Sequence, residues 1–535
     1  MKRTMALFGA ATALAMMPLA AHAERGASGH LNIIYWQAPS ILNPYLSGGT
    51  KDVESSSLVL EPLARYNQNG ELVAWLAESI PTVENGGVAE DLTSITWTLR
   101  EGLLWSDGTP VTSADVAFSA EYCMHPEGGC AQAARYQDVE SVEIVDERTV
   151  TVHFSVPKPV PYGPFVTAQS PIIQRAQFEN CTGARAPECT DANFYPIGTG
   201  AFRVVDFRPN DVISFEANQN YRDPALPHFA TITFKGGGDA ASAGRAVMET
   251  GEMDYAWNLQ LAPDVIATMA QGGRGVPISA FGTLVERIEV NMTDPSPDLP
   301  PEIRSTRAAP HPVLSDIRVR EALSRAIDRE LLVEVGYGQA GRPSCNLVPA
   351  PPIFRSDAND NCLEQDLDRA RALLDEAGWV VGADGIRVRD GRRLTIDYMT
   401  STNAVRQDFQ ALIQQWWREI GVEANLRNIN ASVFFGGDPG SPDTFQKFYA
   451  DVSMYANNFP GTDPEAYLGA YRCGFEPRPE TQWQGENINR FCDPAYDALV
   501  AELSTTSDMA KRGEIAIRLN EMLTKDSYVV VPLVD

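Results

Sequence analysis

Basic residues and histidines are scarce in this sequence of 535 residues. Lys and Arg total 43 against 70 Asp and Glu, which gives a net charge of −27, and only six histidines are present. A surface this acidic repels DNA phosphates and anionic lipid head groups, so nucleic acid is excluded as a partner. With so few histidines we expect no metal site and no cofactor. The composition predicts a soluble monomer.

Signatures of catalysis are also missing. The chain has no H-E-x-x-H, no G-x-S-x-G and no phosphate-binding loop ending in Gly-Lys-Ser/Thr. Ser155-Val156-Pro157-Lys158 matches S-x-x-K only formally, because a proline and a strand end separate residues that must lie one helical turn apart. We therefore expect no enzyme, and an exported peptidase remains the alternative from that class.

Long apolar runs are absent except at the start of the chain. Lys2-Arg3 precedes an uncharged run from Thr4 to Ala23 that ends Ala21-His22-Ala23. This is the pattern of a signal peptide cleaved after residue 23, so residues 1–23 are expected to be removed on export to the periplasm. A membrane anchor is the alternative, since 20 uncharged residues can just span a bilayer.

Cysteines are missing from the first 122 residues and never form C-x-x-C. The eight that are present fall into local couples, which favours disulfides in an oxidising compartment over zinc ligands. Spacing alone cannot prove connectivity. The expected pairs are Cys123 with Cys130, Cys181 with Cys189, Cys345 with Cys362, and Cys473 with Cys492.

Strand and helix patterns alternate along the chain, which predicts an α/β fold. Residues 95–100 and 150–156 alternate apolar and polar side chains as half-buried strands do. Residues 316–335 carry apolar side chains at helical spacing and are predicted to form a helix. The polar, proline-rich segment 293–312 is the predicted crossing between two lobes.

Aromatic and amide side chains cluster where predicted strands end. Because ligands of α/β proteins bind at the carboxyl ends of strands, these residues are candidates for ligand binding. Core packing is the alternative for each aromatic residue. The candidates are Tyr35, Trp36, Trp257, Tyr455, Asn457 and Asn458.

Several ordered motifs resemble the large substrate-binding proteins of ABC importers, the group that includes dipeptide, oligopeptide and nickel binding proteins. The matching segments are Leu42-Asn43-Pro44, Leu60-Glu61-Pro62-Leu63, Trp97-Thr98-Leu99-Arg100-Glu101-Gly102, Trp105-Ser106-Asp107-Gly108-Thr109-Pro110 with Asp115-Val116, Pro196-Ile197-Gly198-Thr199-Gly200, Val319-Arg320-Glu321-Ala322-Leu323 with Ala326-Ile327-Asp328-Arg329, and Ala377-Gly378-Trp379. They extend over most of the chain after residue 31.

The resemblance implies a two-lobe periplasmic binding protein, a venus flytrap with an extra subdomain inserted in the first lobe. Lobe I is expected to comprise residues 24–53, 195–290 and 501–535. The inserted subdomain is expected at 54–194 and lobe II at 291–500. The chain ends at Asp535, where relatives generally continue, so it is either a fragment or completes its lobe differently.

The function implied is capture of a short peptide by hinge closure and its delivery to the transmembrane subunits of an ABC permease. Peptide-binding relatives place an aspartate, which holds the peptide amino group, where this chain has Asn457-Asn458. Asp463 is a possible substitute, although Asp463-Pro464 is also an ordinary helix start. The neutral Asn pair favours the alternative of an oligosaccharide or opine-like ligand. Nickel is less favoured because histidines are few.

Overall fold

The computed structural model describes residues 24–459 and 461–535. The expected signal peptide, residues 1–23, lies outside the described residues. In the described part of the chain, no helix has the length and apolar character needed to cross a membrane.

Two five-stranded sheets form the frames of two lobes. In spatial order, the first sheet contains Tyr255–Trp257, His30–Tyr35, Thr231–Gly236, Val212–Ala217 and Phe202–Arg208. The second contains Glu423–Ile429, Thr395–Ser401, Val452–Asn457, Val285–Val290 and Val530–Val534. This is the mixed α/β, two-lobe architecture that the sequence predicts.

The segment between His30–Tyr35 and Phe202–Arg208, which are the first two strands of the first sheet in chain order, builds a separate layer with its own core. Its strands are Ser94–Thr98, Thr149–Phe154 and Val139–Ile144 in one sheet, and Ala64–Tyr66 and Leu72–Ala74 in a hairpin. The buried rings of Trp97, Trp105 and Tyr122 belong to this core. We call residues 54–194 the inserted subdomain.

Helices cover the sheets and connect the strands. The α-helices are Thr50–Ser56, Ser113–Met124, Arg175–Phe178, Thr190–Phe194, Ala240–Arg245, Pro263–Ala270, Ile317–Arg325, Arg329–Gly336, Leu367–Glu376, Ala404–Glu419, Ala431–Phe434, Glu465–Gly469, Pro494–Thr505 and Met509–Glu521. Two π-helical turns, Ala246–Thr250 and Met522–Asp526, extend the helices before them. Short 3₁₀ turns are Pro44–Leu46, Ala133–Tyr136, Gly183–Glu188, Gly338–Ala340, Pro352–Phe354, Asp357–Cys362 and Pro479–Thr481. The remaining strands are Val380–Val381, Arg387–Arg389 and Arg392–Arg393.

The expected division of the chain is wrong at two strands. Val285–Val290 and Val530–Val534 pair with each other in the second sheet, so they belong to lobe II and not to lobe I. The crossing between lobes therefore lies between Trp257 and Val285, before the segment 293–312. All six residues of Val285–Val290 are buried although half are charged. An apolar sequence pattern therefore does not predict this strand.

The four cysteine couples form the disulfides that their spacing predicts. Cys123–Cys130 and Cys181–Cys189 lie in the inserted subdomain. The other two close longer loops in lobe II, Cys345–Cys362 and Cys473–Cys492. Each bond removes loop conformations from the unfolded chain, which stabilises the native state.

The predicted helix at 316–335 is two helices, because the chain becomes extended at Asp328. The first helix ends at Arg325. Asp328 has a φ of −86° and a ψ of 98°, and its carboxylate accepts a hydrogen bond from the Leu331 N–H at 3.0 Å. The carboxylate is thus the N-cap of Arg329–Gly336, and the helical periodicity continues across the break.

We expect Asp328→Ala to lower the free energy of unfolding by about 1 kcal/mol, because an N–H at the helix start loses its acceptor. Asp328→Asn retains a side-chain oxygen and is the matched control. Urea unfolding of both variants measures the difference. Equal stability of the alanine and asparagine variants would contradict a capping role.

Candidate functional site

An aromatic cluster lies between the two lobes. Trp36, at the end of the first strand, shares a buried apolar cluster with Phe434, Phe435, Phe445 and Tyr455 of lobe II. The rings of Phe445 and Tyr455 are 5.3 Å apart, and the rings of Phe434 and Tyr455 are 6.3 Å apart. The lobes are closed against each other here, with apolar side chains filling the contact.

Tyr35 and Trp257 lie together in the first lobe. Their strands are parallel neighbours, and the two rings stack 4.6 Å apart with 5° between their planes. The Tyr35 hydroxyl donates a hydrogen bond to the Glu54 carboxylate at 2.8 Å. Burial raises the pKa of Glu54, and the bond from Tyr35 opposes that shift. This pair packs with the lobe I core, as the alternative interpretation of these aromatic residues predicts.

A polar cavity lies between the inserted subdomain and lobe II. Side chains of both parts line it, mostly amides, charged groups and tyrosines. From the inserted subdomain these include Tyr66, Gln132, Arg135, Gln137, Lys158 and Gln169; from lobe II they include Asn457, Asn458, Asp463, Glu465, Tyr467 and Glu486. We call this space the interface cavity.

Asn457 is the last residue of the strand Val452–Asn457 and Asn458 follows it, and both line the interface cavity. The strand runs parallel to Thr395–Ser401. The Asn457 side-chain oxygen accepts a hydrogen bond from the Asn458 N–H at 2.9 Å. Within residues 24–459 and 461–535, the Asn458 side-chain amide has no hydrogen-bond partner. It is therefore free to bind a ligand from the cavity wall.

Asp463 also lines the cavity, but its carboxylate is already bound. Both oxygens accept hydrogen bonds from Arg512, at 2.7–2.9 Å, and one accepts the Glu465 N–H at 3.0 Å. Burial raises the pKa of Asp463, and the Arg512 guanidinium opposes that shift. The contacts are those of a structural group at a helix start.

Glu465 extends this pairing across the interface. Its carboxylate contacts Arg512 at 3.0 Å and Lys158 of the inserted subdomain at 2.5 Å. Lys158 also contacts Asp138 of its own subdomain at 3.3 Å. We call Asp138, Lys158, Glu465, Arg512 and Asp463 the bridging network, because it joins the inserted subdomain to lobe II.

Arg135 and Glu486 are cavity residues that the sequence did not indicate. Arg135 follows Cys130 in a 3₁₀ turn, and Glu486 lies in the loop closed by Cys473–Cys492. Burial raises the pKa of Glu486 to about 7, and Arg135 opposes that shift. Neither residue stands in a motif, and only Glu486 had a signal, its position inside a loop closed by a disulfide.

We expect Asp463→Asn to lower the free energy of unfolding by about 1.5–3 kcal/mol, because buried Arg512 loses a charged acceptor. The control is Asp368→Asn, which removes an exposed carboxylate paired with Arg371 at 2.8 Å and changes stability by less than about 0.5 kcal/mol. Denaturant unfolding of both variants gives the two values. A neutral effect of Asp463→Asn would show that its pairing with Arg512 is not structural.

Comparisons with known proteins found a family model and individual relatives that match this chain. The model of "Bacterial extracellular solute-binding proteins, family 5 Middle" matches residues 71–476. Protein XP55 of Streptomyces lividans is 28% identical over 405 residues, which are 74% of this chain and 66% of XP55. Glutathione-binding protein GsiB of Escherichia coli K12 is 24% identical over 391 residues, 73% of this chain and 67% of GsiB. The matched part thus spans about two thirds of these relatives.

A solved structure shows the same fold. The oligopeptide binding protein from Thermus thermophilus, complexed with a pentapeptide, superposes with a TM-score of 0.79 at 21% identity. The superposition covers 94% of this chain and 90% of that protein. The predicted two-lobe α/β fold class is confirmed.

Proposed function

Because the chain belongs to the bacterial extracellular solute-binding proteins of family 5, substrate-binding proteins of ABC importers, we propose that it captures a short peptide in the periplasm. The closed, loaded protein then delivers the peptide to the transmembrane subunits of its permease. The proposal is one of binding without catalysis.

The observation that carries the peptide assignment is the chemistry of the interface cavity. A short peptide has an ammonium group, a carboxylate and several amide N–H and C=O groups. The cavity offers a carboxylate on Glu486, a guanidinium on Arg135 and amides on Gln137, Asn457 and Asn458. Buried polar groups of a ligand need such partners, and this lining supplies partners for each kind.

The position of the cavity supports a mechanism of closure. Its walls come from the inserted subdomain and from lobe II, so a ligand that contacts both walls stabilises the closed arrangement over an open one. Closure also forms the Lys158–Glu465 ion pair across the same interface. The ligand contacts and the ion pair therefore both stabilise the closed form over the open form.

The relative GsiB supports a ligand of this size, since its name states binding of glutathione, which is a tripeptide. A second candidate ligand is an oligosaccharide or an opine-like solute. The observation that favours it is the pair of neutral amides, Asn457 and Asn458, that line the cavity at the strand end.

Native mass spectrometry of protein purified from the periplasm tests the proposal, followed by calorimetry with synthetic di-, tri- and pentapeptides. We expect a co-purified mass of a short peptide and a Kd of about 1 μM or tighter for the preferred length, which corresponds to about −8 kcal/mol. Peptides recovered intact after long incubation with the protein are consistent with binding alone.

Parallel titrations with neutral oligosaccharides and an opine separate the two candidate ligands. Tight binding of an uncharged sugar, together with no binding of any peptide, would replace the peptide by the second candidate. Cleavage products in the incubation would instead identify an exported peptidase.

A further inference from the structure

The charged side chains of the interface cavity divide into paired and unpaired groups. The charged residues in its lining are Arg135, Lys158, Asp463, Glu465 and Glu486. Lys158, Asp463 and Glu465 form ion pairs within the bridging network at 2.5–3.3 Å. Their charges are therefore compensated before any ligand arrives.

Arg135 and Glu486 are the two that remain. Arg135 donates a hydrogen bond to the Gln169 side-chain oxygen, which is neutral. In the described chain, no ion pair within 4.0 Å joins Arg135 to Glu486 or to another residue, and the Glu486 carboxylate accepts no hydrogen bond. The two opposite charges come from different parts of the chain, one from the inserted subdomain and one from lobe II.

Gln132 provides a further unpaired group. Its side chain is 1% exposed and lines the same cavity, where its amide donates to the carbonyls of Pro44 and Ser47. Its side-chain oxygen has no partner among the described residues. A buried acceptor without a partner is costly, and a ligand N–H group can satisfy it.

We propose that Arg135 and Glu486 together bind an α-amino-acid head group, in which an ammonium and a carboxylate share one carbon atom. The ammonium pairs with Glu486 and the carboxylate pairs with Arg135. This inference rests on the proposed peptide function and specifies which part of the ligand enters the interface cavity.

The proposal places the negative charge that binds the ligand ammonium on Glu486, whereas Asn457 and Asn458 at the strand end are neutral amides. Glu486 belongs to lobe II, as Asn458 does, and lines the same cavity. Asp463 cannot serve, because Arg512 occupies both of its oxygens.

A preference among peptide linkages follows from this arrangement. An α-linked peptide has its amino-terminal ammonium and its free carboxylate at opposite ends. A γ-glutamyl peptide instead keeps both charges on the α-carbon of its first residue. We therefore expect γ-Glu-Ala-Gly to bind at least about tenfold more tightly than its α-linked isomer, since the isomer cannot make both charge-assisted contacts in the site.

The pH dependence has a definite sign. A ligand ammonium favours the ionised form of Glu486, so binding near neutral pH releases the proton that this group holds because of burial. Affinity should rise from pH 5.5 to about 7.5 and then level. The other charged or titratable side chains of the cavity are Arg135, Tyr66, Tyr162, Tyr467, Lys158, Asp463 and Glu465. Burial raises the pKa of Tyr66, Tyr162 and Tyr467, so these phenols stay protonated in this range.

Calorimetry with matched peptides and variants tests the proposal. The probes are γ-Glu-Ala-Gly, its N-acetylated form, its α-carboxamide form and α-linked Glu-Ala-Gly. The variants are Glu486→Gln and Arg135→Gln. Exposed Glu480 and Arg185, changed to Gln, are the charge-matched controls in the same two parts of the chain. Thermal unfolding of each variant verifies that it is folded.

We expect Glu486→Gln to weaken binding of free γ-Glu-Ala-Gly at least about tenfold, and to leave binding of the N-acetylated form unchanged. Arg135→Gln should weaken the free peptide similarly and leave the α-carboxamide unchanged. Titrations in buffers of different ionisation enthalpy at pH 7 should show proton release of about one half per ligand, absent in Glu486→Gln.

Two results would overturn the proposal, and they differ in what they leave standing. In the first, the natural protein binds peptides, and both variants show the same ratio of affinity for the free peptide to affinity for its N-acetylated and α-carboxamide forms as the natural protein does. The head-group site is then wrong and the peptide function remains. If the natural protein binds none of the four probes and no peptide of the earlier panel, both the site and the peptide function are wrong.

Discussion

The ion pair between Lys158 and Glu465 is the contact on which the candidate site depends. It joins a loop of the inserted subdomain to the first turn of a helix in lobe II, across an interface that no covalent link closes. Both partners have a second ion pair, to Asp138 and to Arg512, so neither charge is buried with a single contact. A buried pair of this kind is costly to form, and its value is that it fixes which surfaces meet.

Two kinds of contact therefore hold the parts together. The aromatic cluster around Trp36 and Tyr455 closes lobe I on lobe II through apolar area, which is not directional. The bridging network holds the inserted subdomain against lobe II through ion pairs, which require specific distances and orientations of the charged groups. The interface cavity lies on the charged side of this arrangement, and this explains why its lining is polar.

Charged residues also shape the second sheet, and this limited what the sequence could reveal. Glu286 pairs with Arg406 at 2.8 Å, and Arg287 pairs with Glu289 at 2.5 Å, all within or against one buried strand. A strand that buries paired charges has no alternating apolar pattern. An alternating apolar pattern indicates burial of apolar groups and does not indicate burial of paired charges. The expected boundary of lobe I is therefore wrong at the strand Val285–Val290.

Local chemistry was predicted well where one residue type determines the outcome. Cysteine spacing predicted the disulfides because short loops restrict the choice of partners, and Asn457 was expected where a strand ends. Arg135 and Glu486 could not be found in this way. Their significance comes from the pairing of every charge around them, across residues 138 to 512, and such a relation exists only after the chain has folded. In this protein local sequence patterns predict the scaffold, whereas the proposed head-group site depends on which charges the fold leaves unpaired.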